Sequence, residues 1–292
     1  ATSEADSTWG TSIAVTESKK VYGWGYSNYG ALGKDGRFTS PIKVSNINTA
    51  VEAALGGTDS TPFTYILKED GTVSSLGYNG YGQLGNGTTT SSSAAQDVQN
   101  LKNVVQVVGA QNGYFGAAVR TDGTVWAWGY GPHGELGNGK TYNSSLPVKV
   151  IGVSDVVSIA AGYYNSFAVR KDGTVWAWGY NYAGQLGLGD GTNRTTAQQV
   201  LGGASGSQYL TDIVEVKAAT WHTLALKANG TVYAWGNNSH SQLGSTGSSS
   251  SRPVQVVTGQ QGSASGYLEK VVELDATSEA DSTWGTSIAV TE

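Results

Sequence analysis

A seven-residue segment recurs along the 292-residue chain at nearly constant spacing, and this repeat constrains the fold more than any other feature. The sequence Gly-Thr-Val-Trp-Ala-Trp-Gly occurs at 123–129 and 173–179, a close copy occurs at 230–236, and weaker copies occur at 20–25 and 71–77. The closing glycines lie at positions 25, 77, 129, 179 and 236, so the steps are 52, 52, 50 and 57 residues. Steps of this length are typical of a unit of four short antiparallel strands and exceed those of the common helical repeats.

Turn residues and the alternation of apolar residues place the strands within each unit. In the fourth unit the predicted strands span 156–161, 166–170, 174–179 and about 197–201. The turn between the second and third strands carries Asp-Gly or Asn-Gly in four units, and these pairs tolerate the positive φ of tight hairpins. A Gly-x-Leu-Gly loop follows each third strand, with Ser for the first Gly in the last copy, and its leucine is predicted to fill the core between units. Repeated four-stranded sheets bury both faces by radial stacking, which predicts a β-propeller.

These motifs carry a family resemblance. The segment 173–179, the Gly-Gln-Leu-Gly loop and the small-residue strand before Ser166-Phe-Ala-Val resemble the regulator of chromosome condensation repeat over nearly the whole chain, and we identify a bacterial-type member. The resemblance implies an all-β fold, a single propeller domain over residues 1–292 built from four-stranded antiparallel blades. Members usually have seven blades, whereas this sequence has five full repeats and a duplicated terminal half blade, so five to seven blades stay open. The family includes a nuclear exchange factor for a small GTPase, plant photoreceptor relatives and a bacterial secreted inhibitor of β-lactamases, so membership does not fix a function.

The two ends of the chain are identical in sequence. Residues 1–17 recur unchanged as residues 276–292, whereas the internal repeats agree only at structural positions, which favours engineering over a window cut from a longer natural repeat. Each copy contains the second strand of a unit, at 11–16 or 286–291. One blade assembled from 271–275, 286–291, 21–25 and 41–44 would close a ring. Alternatively, the short connection at 18–20 keeps the N-terminal copy in its own blade, and the open C-terminal half blade then exchanges strands with another molecule as concentration rises.

Composition and charge exclude several function classes. The 42 glycines follow no collagen period, and 38% hydrophobic residues can build a core. The net charge is −5 without any basic run, which argues against a nucleic-acid partner. No apolar run is long enough for a membrane span. The chain has no Cys and only three His, none of them at metal-binding spacing, and it has no nucleophile elbow, so we expect no metal, no cofactor and no enzymatic activity. The missing initial Met suggests trimming and leads us to expect an extracellular or cell-surface bacterial protein.

Aromatic residues cluster at one position of each repeat, the loop between the first and second strands. Equivalent loops of a propeller emerge on one face, and aromatic loop residues are common hot spots of protein binding. The candidate partner-binding residues are Trp9, its copy Trp284, Phe63, Tyr114, Phe115, Tyr163, Tyr164, Trp221 and His222. The tryptophans predicted to pack between blades instead are Trp24, Trp128, Trp178 and Trp235.

The leading functional interpretation is a non-enzymatic propeller scaffold that binds a protein or a surface ligand through this aromatic loop face. One alternative is an engineered or self-assembling structural propeller that uses its duplicated terminal strands for ring closure or strand exchange. The other is a guanine-nucleotide-exchange-type regulator of a small GTPase, which is less favoured because no basic tail is present.

Overall fold

The computed structural model describes residues 2–3, 10–203, 208–259, 266–278 and 285–291. Within these ranges the regular structure consists of antiparallel β-strands, which divide between two compact units. A search of the same ranges for a helix long and apolar enough to cross a membrane finds none.

Unit 1 comprises Ala1–Pro132 and Lys140–Val150 and contains three four-stranded sheets. Strands that are consecutive in the chain are neighbours in every sheet. The first sheet has the strands β1 (Thr2–Ser3), β2 (Gly10–Val15), β3 (Val21–Ser27) and β4 (Gly36–Lys43). The second has β5 (Ala50–Gly56), β6 (Phe63–Lys68), β7 (Val73–Gly77) and β8 (Ser92–Asp97). The third has β9 (Val104–Gly109), β10 (Phe115–Arg120), β11 (Val125–Gly129) and β12 (Ser144–Lys149).

Unit 2 comprises His133–Gly139 and Ile151–Glu292 and contains two four-stranded sheets and a two-stranded sheet within its described residues. The first has the strands β13 (Val156–Ala161), β14 (Asn165–Arg170), β15 (Val175–Gly179) and β16 (Arg194–Gln199). The second has β17 (Ile213–Ala218), β18 (His222–Lys227), β19 (Val232–Gly236) and β20 (Ser250–Gln255). The third consists of β21 (Val271–Ser278) and β22 (Gly285–Thr291).

The repeated sheets confirm the predicted all-β fold of four-stranded antiparallel propeller blades. In the fourth repeat the first three strands begin within one residue of their predicted starts, whereas the fourth begins at Arg194 and not near residue 197. The reason is that Arg194 pairs directly with the closing Gly179, across a register shift between Ala177 and Gly179. The irregular pairing brings β16 into the sheet earlier than its apolar pattern indicates.

Indole hydrogen bonds connect successive blades inside each unit. The second Trp of three third strands donates its Nε1–H to the backbone carbonyl of residue x in the Gly-x-Leu-Gly loop of the preceding repeat. The pairs are Trp128 with Gln83 in unit 1, and Trp178 with Glu135 and Trp235 with Gln185 in unit 2, at 2.9, 2.8 and 2.7 Å. These three tryptophans and the loop leucines Leu32, Leu84, Leu136, Leu186 and Leu243 are fully buried, which confirms their predicted packing role. Trp24 is 37% exposed, so the prediction that it packs between blades was wrong for this residue.

A steric constraint explains why the Gly-x-Leu-Gly loop ends in glycine. Gly187 has a φ of +73°, and a Cβ added there would lie 2.9 Å from Nε1 of Trp235. A side chain would therefore strain the backbone and push the indole away from its acceptor.

The duplicated segment pairs locally at both ends. β2 pairs with β3, placing Ser12 opposite Trp24, and β22 pairs with β21. The register is the same in both copies, because Thr2 lies opposite Thr11 and Thr277 lies opposite Thr286. The N-terminal copy thus occupies its own sheet, as its short connection to β3 predicts.

Candidate functional site

A recurring backbone hydrogen bond brings two aromatic residues together in the third and fourth repeats. The residue after the closing glycine of the third strand donates its N–H to the carbonyl of the residue just before the second strand. In unit 1 Tyr130 donates to Tyr114 at 2.9 Å, and in unit 2 Tyr180 donates to Tyr164 at 2.8 Å. Gly129, with a φ of +105°, makes this approach possible, because a Cβ there would lie 2.4 Å from the Tyr114 carbonyl oxygen.

Unit 1 carries a cluster of five tyrosines, here called the unit 1 cluster: Tyr29, Tyr78, Tyr81, Tyr114 and Tyr130. Ring centroids lie 4.9 Å apart between Tyr29 and Tyr78. They lie 5.0 and 5.1 Å apart from Tyr81 to Tyr114 and to Tyr130. The rings meet edge-on or tilted, the geometry that aromatic quadrupoles favour. Tyr29 is exposed and the other four are half-buried, so the rings present a continuous partly accessible surface.

Unit 2 carries a second cluster, the unit 2 cluster: His133, Tyr163, Tyr164, Tyr180, Tyr182 and Trp221. The His133 ring lies 4.8 Å from Tyr164 and 5.0 Å from Tyr180, and Tyr180 lies 5.8 Å from Trp221. The Tyr164 hydroxyl donates to the Tyr163 hydroxyl at 3.0 Å. Tyr182 is 78% exposed, whereas the other members are half-buried.

Burial favours the neutral form of three cluster rings, those of Tyr78, Tyr180 and His133. Burial, reinforced by the neighbouring phenols, raises the pKa of Tyr78, and burial together with Tyr182 raises the pKa of Tyr180. Burial also lowers the pKa of His133, which favours the neutral imidazole. The surfaces therefore offer apolar ring area together with hydroxyl and imidazole groups that can donate and accept hydrogen bonds. Across the described part of the chain, no group of three or more His, Cys, Asp or Glu side chains is arranged to hold a metal ion.

The structure separates the residues predicted for the partner-binding face. Tyr114 lies in the unit 1 cluster, and Tyr163, Tyr164 and Trp221 lie in the unit 2 cluster. Three other candidates are fully buried and do not face a partner: Phe63, Phe115 and His222. Trp9 and Trp284 lie outside the described residues.

Buried His222 has a packing role. Its Nε2 lies 3.0 Å from the Ser287 hydroxyl, which connects β18 to β22, and burial lowers the pKa of its imidazole to about 4. Phe63 and Phe115 stand at the equivalent first position of the second strand, each opposite a closing glycine. This position belongs to the core because strand side chains alternate between the two faces of a sheet.

Sequence reasoning missed seven of the eleven cluster residues. Tyr78, Tyr130 and Tyr180 each follow a closing glycine directly, and this recurring Gly-Tyr pair was a usable signal. Tyr29, Tyr81, His133 and Tyr182 come from the loop before Leu-Gly, for which the sequence predicts a core-filling leucine and no binding role.

Comparisons with known proteins agree with the repeat architecture. The pattern described as Regulator of chromosome condensation (RCC1) repeat matches residues 70–114, 122–169, 172–226 and 229–272. Human E3 ubiquitin-protein ligase HERC2 is 29% identical over 258 residues, which is 86% of this chain and 4% of HERC2. The ultraviolet-B receptor UVR8 of Arabidopsis thaliana is 27% identical over 240 residues, 80% of this chain and 52% of UVR8. Mouse regulator of chromosome condensation is 31% identical over 144 residues, 48% of this chain and 34% of that protein. The chain thus spans at most about half the length of these relatives.

Solved structures share the fold. Human WBSCR16 superposes with a TM-score of 0.76 at 21% identity, over 91% of this chain and 70% of that one. Yeast RCC1 (Prp20) superposes with a TM-score of 0.74 at 19% identity, over 97% of this chain and 64% of that one. Because these relatives come from eukaryotes, the bacterial-type assignment stays a prediction. The repeat pattern covers well over half of the sequence, and the chain therefore belongs to the regulator of chromosome condensation (RCC1) repeat family.

Proposed function

We propose that this chain is a non-enzymatic scaffold that binds a protein partner through the unit 1 and unit 2 clusters. The observation that carries the proposal is the continuous run of partly accessible phenol rings in each unit, on loops that short backbone hydrogen bonds fix to the blade sheets. Tyrosine provides a large contact area at a small cost in side-chain entropy, and its hydroxyl adds adaptable hydrogen bonding. Aromatic residues held on a rigid scaffold are the usual energetic centres of protein interfaces.

The aromatic composition of the clusters fits a protein partner better than a charged ligand. The two clusters consist of tyrosines, one tryptophan and one histidine, so binding depends on ring burial and is expected to depend weakly on salt. Proteins of this fold bind other proteins, since yeast RCC1 (Prp20) was solved bound to Kap60. We also propose an extracellular or cell-surface location for this chain, to be tested by fractionation of the source cells.

The combined substitution of Tyr163, Tyr164 and Tyr180 by Ala is expected to weaken partner capture by at least ~10-fold, because hot-spot aromatics carry most of the binding energy. Capture from surface and secreted fractions, quantified by mass spectrometry, measures the loss. The matched control is Tyr142→Ala, which removes an exposed tyrosine outside both clusters and should leave capture unchanged. Circular dichroism establishes that both variants fold. Equal capture by the triple variant, the control and the wild type would overturn the proposal.

An exchange-type regulator of a small GTPase is the alternative candidate. It is favoured by the similarity to mouse regulator of chromosome condensation and by the work on yeast Prp20, whose structure was described with its binding to Gsp1p and histones. This role predicts that the chain accelerates release of labelled guanine nucleotide from a small GTPase. Unchanged nucleotide release, together with capture that depends on the tyrosines, favours the scaffold.

A further inference from the structure

An open cavity of about 320 Å³ lies in unit 2, where the β17–β20 sheet faces the β21–β22 sheet. Its apolar wall residues include Leu243, Gly244, Val256, Leu268, Leu274 and Ala289. Each of these residues has an equivalent one repeat earlier, in the order Leu186, Gly187, Val200, Leu210, Val216 and Ala225. In that earlier repeat the same positions surround the fully buried indole of Trp235.

Hydrogen bonds and strand pairing establish the equivalence of the two sites. The N–H of Leu210 donates to the Val200 carbonyl at 3.1 Å, and the N–H of Leu268 donates to the Val256 carbonyl at 3.0 Å. Val216 lies opposite Ala225 in one sheet, as Leu274 lies opposite Ala289 in the other. The residues that line the cavity are therefore equivalent to those that pack around Trp235 in the preceding repeat.

The β21–β22 sheet retains one hydrogen bond that accompanies the tryptophan in the preceding blade. In the preceding blade the Thr223 hydroxyl donates to the Gln185 carbonyl at 2.9 Å, and Thr223 lies opposite Trp235 on the third strand. In the half blade the Ser287 hydroxyl donates to the Gln242 carbonyl at 2.8 Å. Within the described residues the sheet ends at β22, so no third strand brings an indole opposite Ser287.

Trp24 has the properties that the cavity requires. It lies on the third strand β3 opposite Ser12, in the register that Trp235 has with Thr223. Ser12 corresponds to Ser287 in the duplicated segment, so β2 and β22 present the same sequence to a pairing strand. Trp24 is also the one among the four equivalent tryptophans whose side chain stays exposed in the described structure.

We propose that this cavity receives Trp24 from a second copy of the chain, whose β3 pairs with β22 as β3 pairs with β2 within its own sheet. The exchange replaces one strand by an identical strand, so the number of backbone hydrogen bonds is conserved. The gain is burial of the Trp24 indole and completion of a four-stranded sheet from β21, β22 and the partner's β3 and β4. An unpaired strand edge is a known template for such pairing, and exchange of an identical element is a low-cost route to association.

Two single-cysteine variants test the exchange, since the chain has no cysteine of its own. Ala14 lies opposite Tyr22 in the β2–β3 pair, which places Ala289 opposite Tyr22 after exchange. Opposite residues of antiparallel strands have Cα atoms about 4.5–5.5 Å apart, within the range of a disulfide. A mixture of Ala289→Cys and Tyr22→Cys chains, concentrated and then oxidised, should give a disulfide-linked dimer that contains one chain of each kind. The proposal would be overturned if the mixture gave no more disulfide-linked dimer than either variant gives when it is oxidised alone.

Substitution of Trp24 tests whether insertion of its indole into the cavity drives the exchange between chains. Adding Trp24→Ala to the Tyr22→Cys chain should lower the yield of mixed dimer at least tenfold, whereas Tyr142→Ala in the same chain should leave the yield unchanged. Light scattering over a wide concentration range gives the same comparison without cysteines. The wild type should associate as concentration rises and Trp24→Ala should remain monomeric. Monomers at every concentration, or equal association of both proteins, would contradict the proposal.

Discussion

Replacing Glu135 by Gln is expected to raise the free energy of unfolding by several kcal/mol at pH 9 and to have little effect at pH 4. Glu135 is residue x of the third Gly-x-Leu-Gly loop, and its side chain is fully buried. One carboxyl oxygen, Oε2, accepts the His133 N–H at 2.7 Å, whereas Oε1 has no hydrogen-bond partner in the described part of the chain. Burial raises the pKa of this carboxyl to about 8, against the opposing effect of the backbone amides of Glu135, His133 and Gly134.

The sign of the pH dependence follows from proton binding. The ordinary pKa of a glutamate carboxyl is 4.5, so the unfolded chain releases this proton above that pH, while the folded chain keeps it until about pH 8. Stability therefore falls as pH rises between the two values and is level above them. At about 1.4 kcal/mol per pH unit, the full cost has a ceiling of about 5 kcal/mol. Gln does not ionise and removes this cost.

The other repeats show that Gln fits this position. Gln83 and Gln185 occupy it, and their Oε1 atoms accept the N–H of Tyr81 and of Ala183 at 2.9 Å, as Glu135 accepts that of His133. Urea unfolding of the wild type and Glu135→Gln at pH 4, 7 and 9 measures the difference. Glu69→Gln is the control, because the Glu69 side chain is 44% exposed and its replacement should change stability little at any pH. If the unfolding free energies of Glu135→Gln and the wild type changed in parallel with pH, ionisation of the Glu135 carboxyl would not be the cause of the lost stability.

Local chemistry explains how much of the fold the sequence could predict. Pairs such as Asp172-Gly173 indicate a tight hairpin turn from two residues alone. The third strand repeats almost unchanged along the chain, so the order of the strands and the type of blade could be predicted. The fourth strands were less readable because their pairing is irregular. β16 is mostly polar, and its start is set by the pairing of Arg194 with Gly179 and not by an apolar pattern.

The candidate site was less predictable because it depends on contacts between distant positions. Tyr114 and Phe115 are adjacent aromatics of the same loop, yet Phe115 pairs with Gly129 and points into the core, whereas Tyr114 meets Tyr130 at the surface. A single step along an extended chain reverses the direction of the side chain, so loop position alone could not separate them. Trp24 shows a related limit. It carries the motif of the buried tryptophans, yet its side chain is 37% exposed, and the motif alone does not show this difference.

Replacing Trp178 by Ala is expected to lower the free energy of unfolding by about 3–5 kcal/mol, the usual cost of truncating a fully buried large aromatic. Its indole connects β15 with the Gly-x-Leu-Gly loop at Glu135, which also belongs to unit 2, because it packs without exposure and donates to the Glu135 carbonyl at 2.8 Å. That carbonyl also accepts the Ser166 hydroxyl at 3.1 Å, so loss of the indole leaves it one partner. Trp178→Phe keeps most of the apolar area and should cost clearly less, with about 1–3 kcal/mol for the lost donor.

Trp176 provides the matched control on the same strand. Alternation along β15 places it on the opposite face, where it is half-buried, its Nε1 donates to the Thr174 hydroxyl at 3.3 Å, and it lies beside Arg170. Denaturant unfolding of Trp176→Ala should therefore give a much smaller loss than that of Trp178→Ala. If the two alanine variants lose equal stability, burial of strand residues in general would explain the effect. If Trp178→Phe loses as much as Trp178→Ala, the indole hydrogen bond and not its packing would hold the repeats together. We expect the loss of unfolding free energy to be largest for Trp178→Ala, intermediate for Trp178→Phe and smallest for Trp176→Ala. This order would show that both the packing and the N–H of Trp178 connect the two repeats.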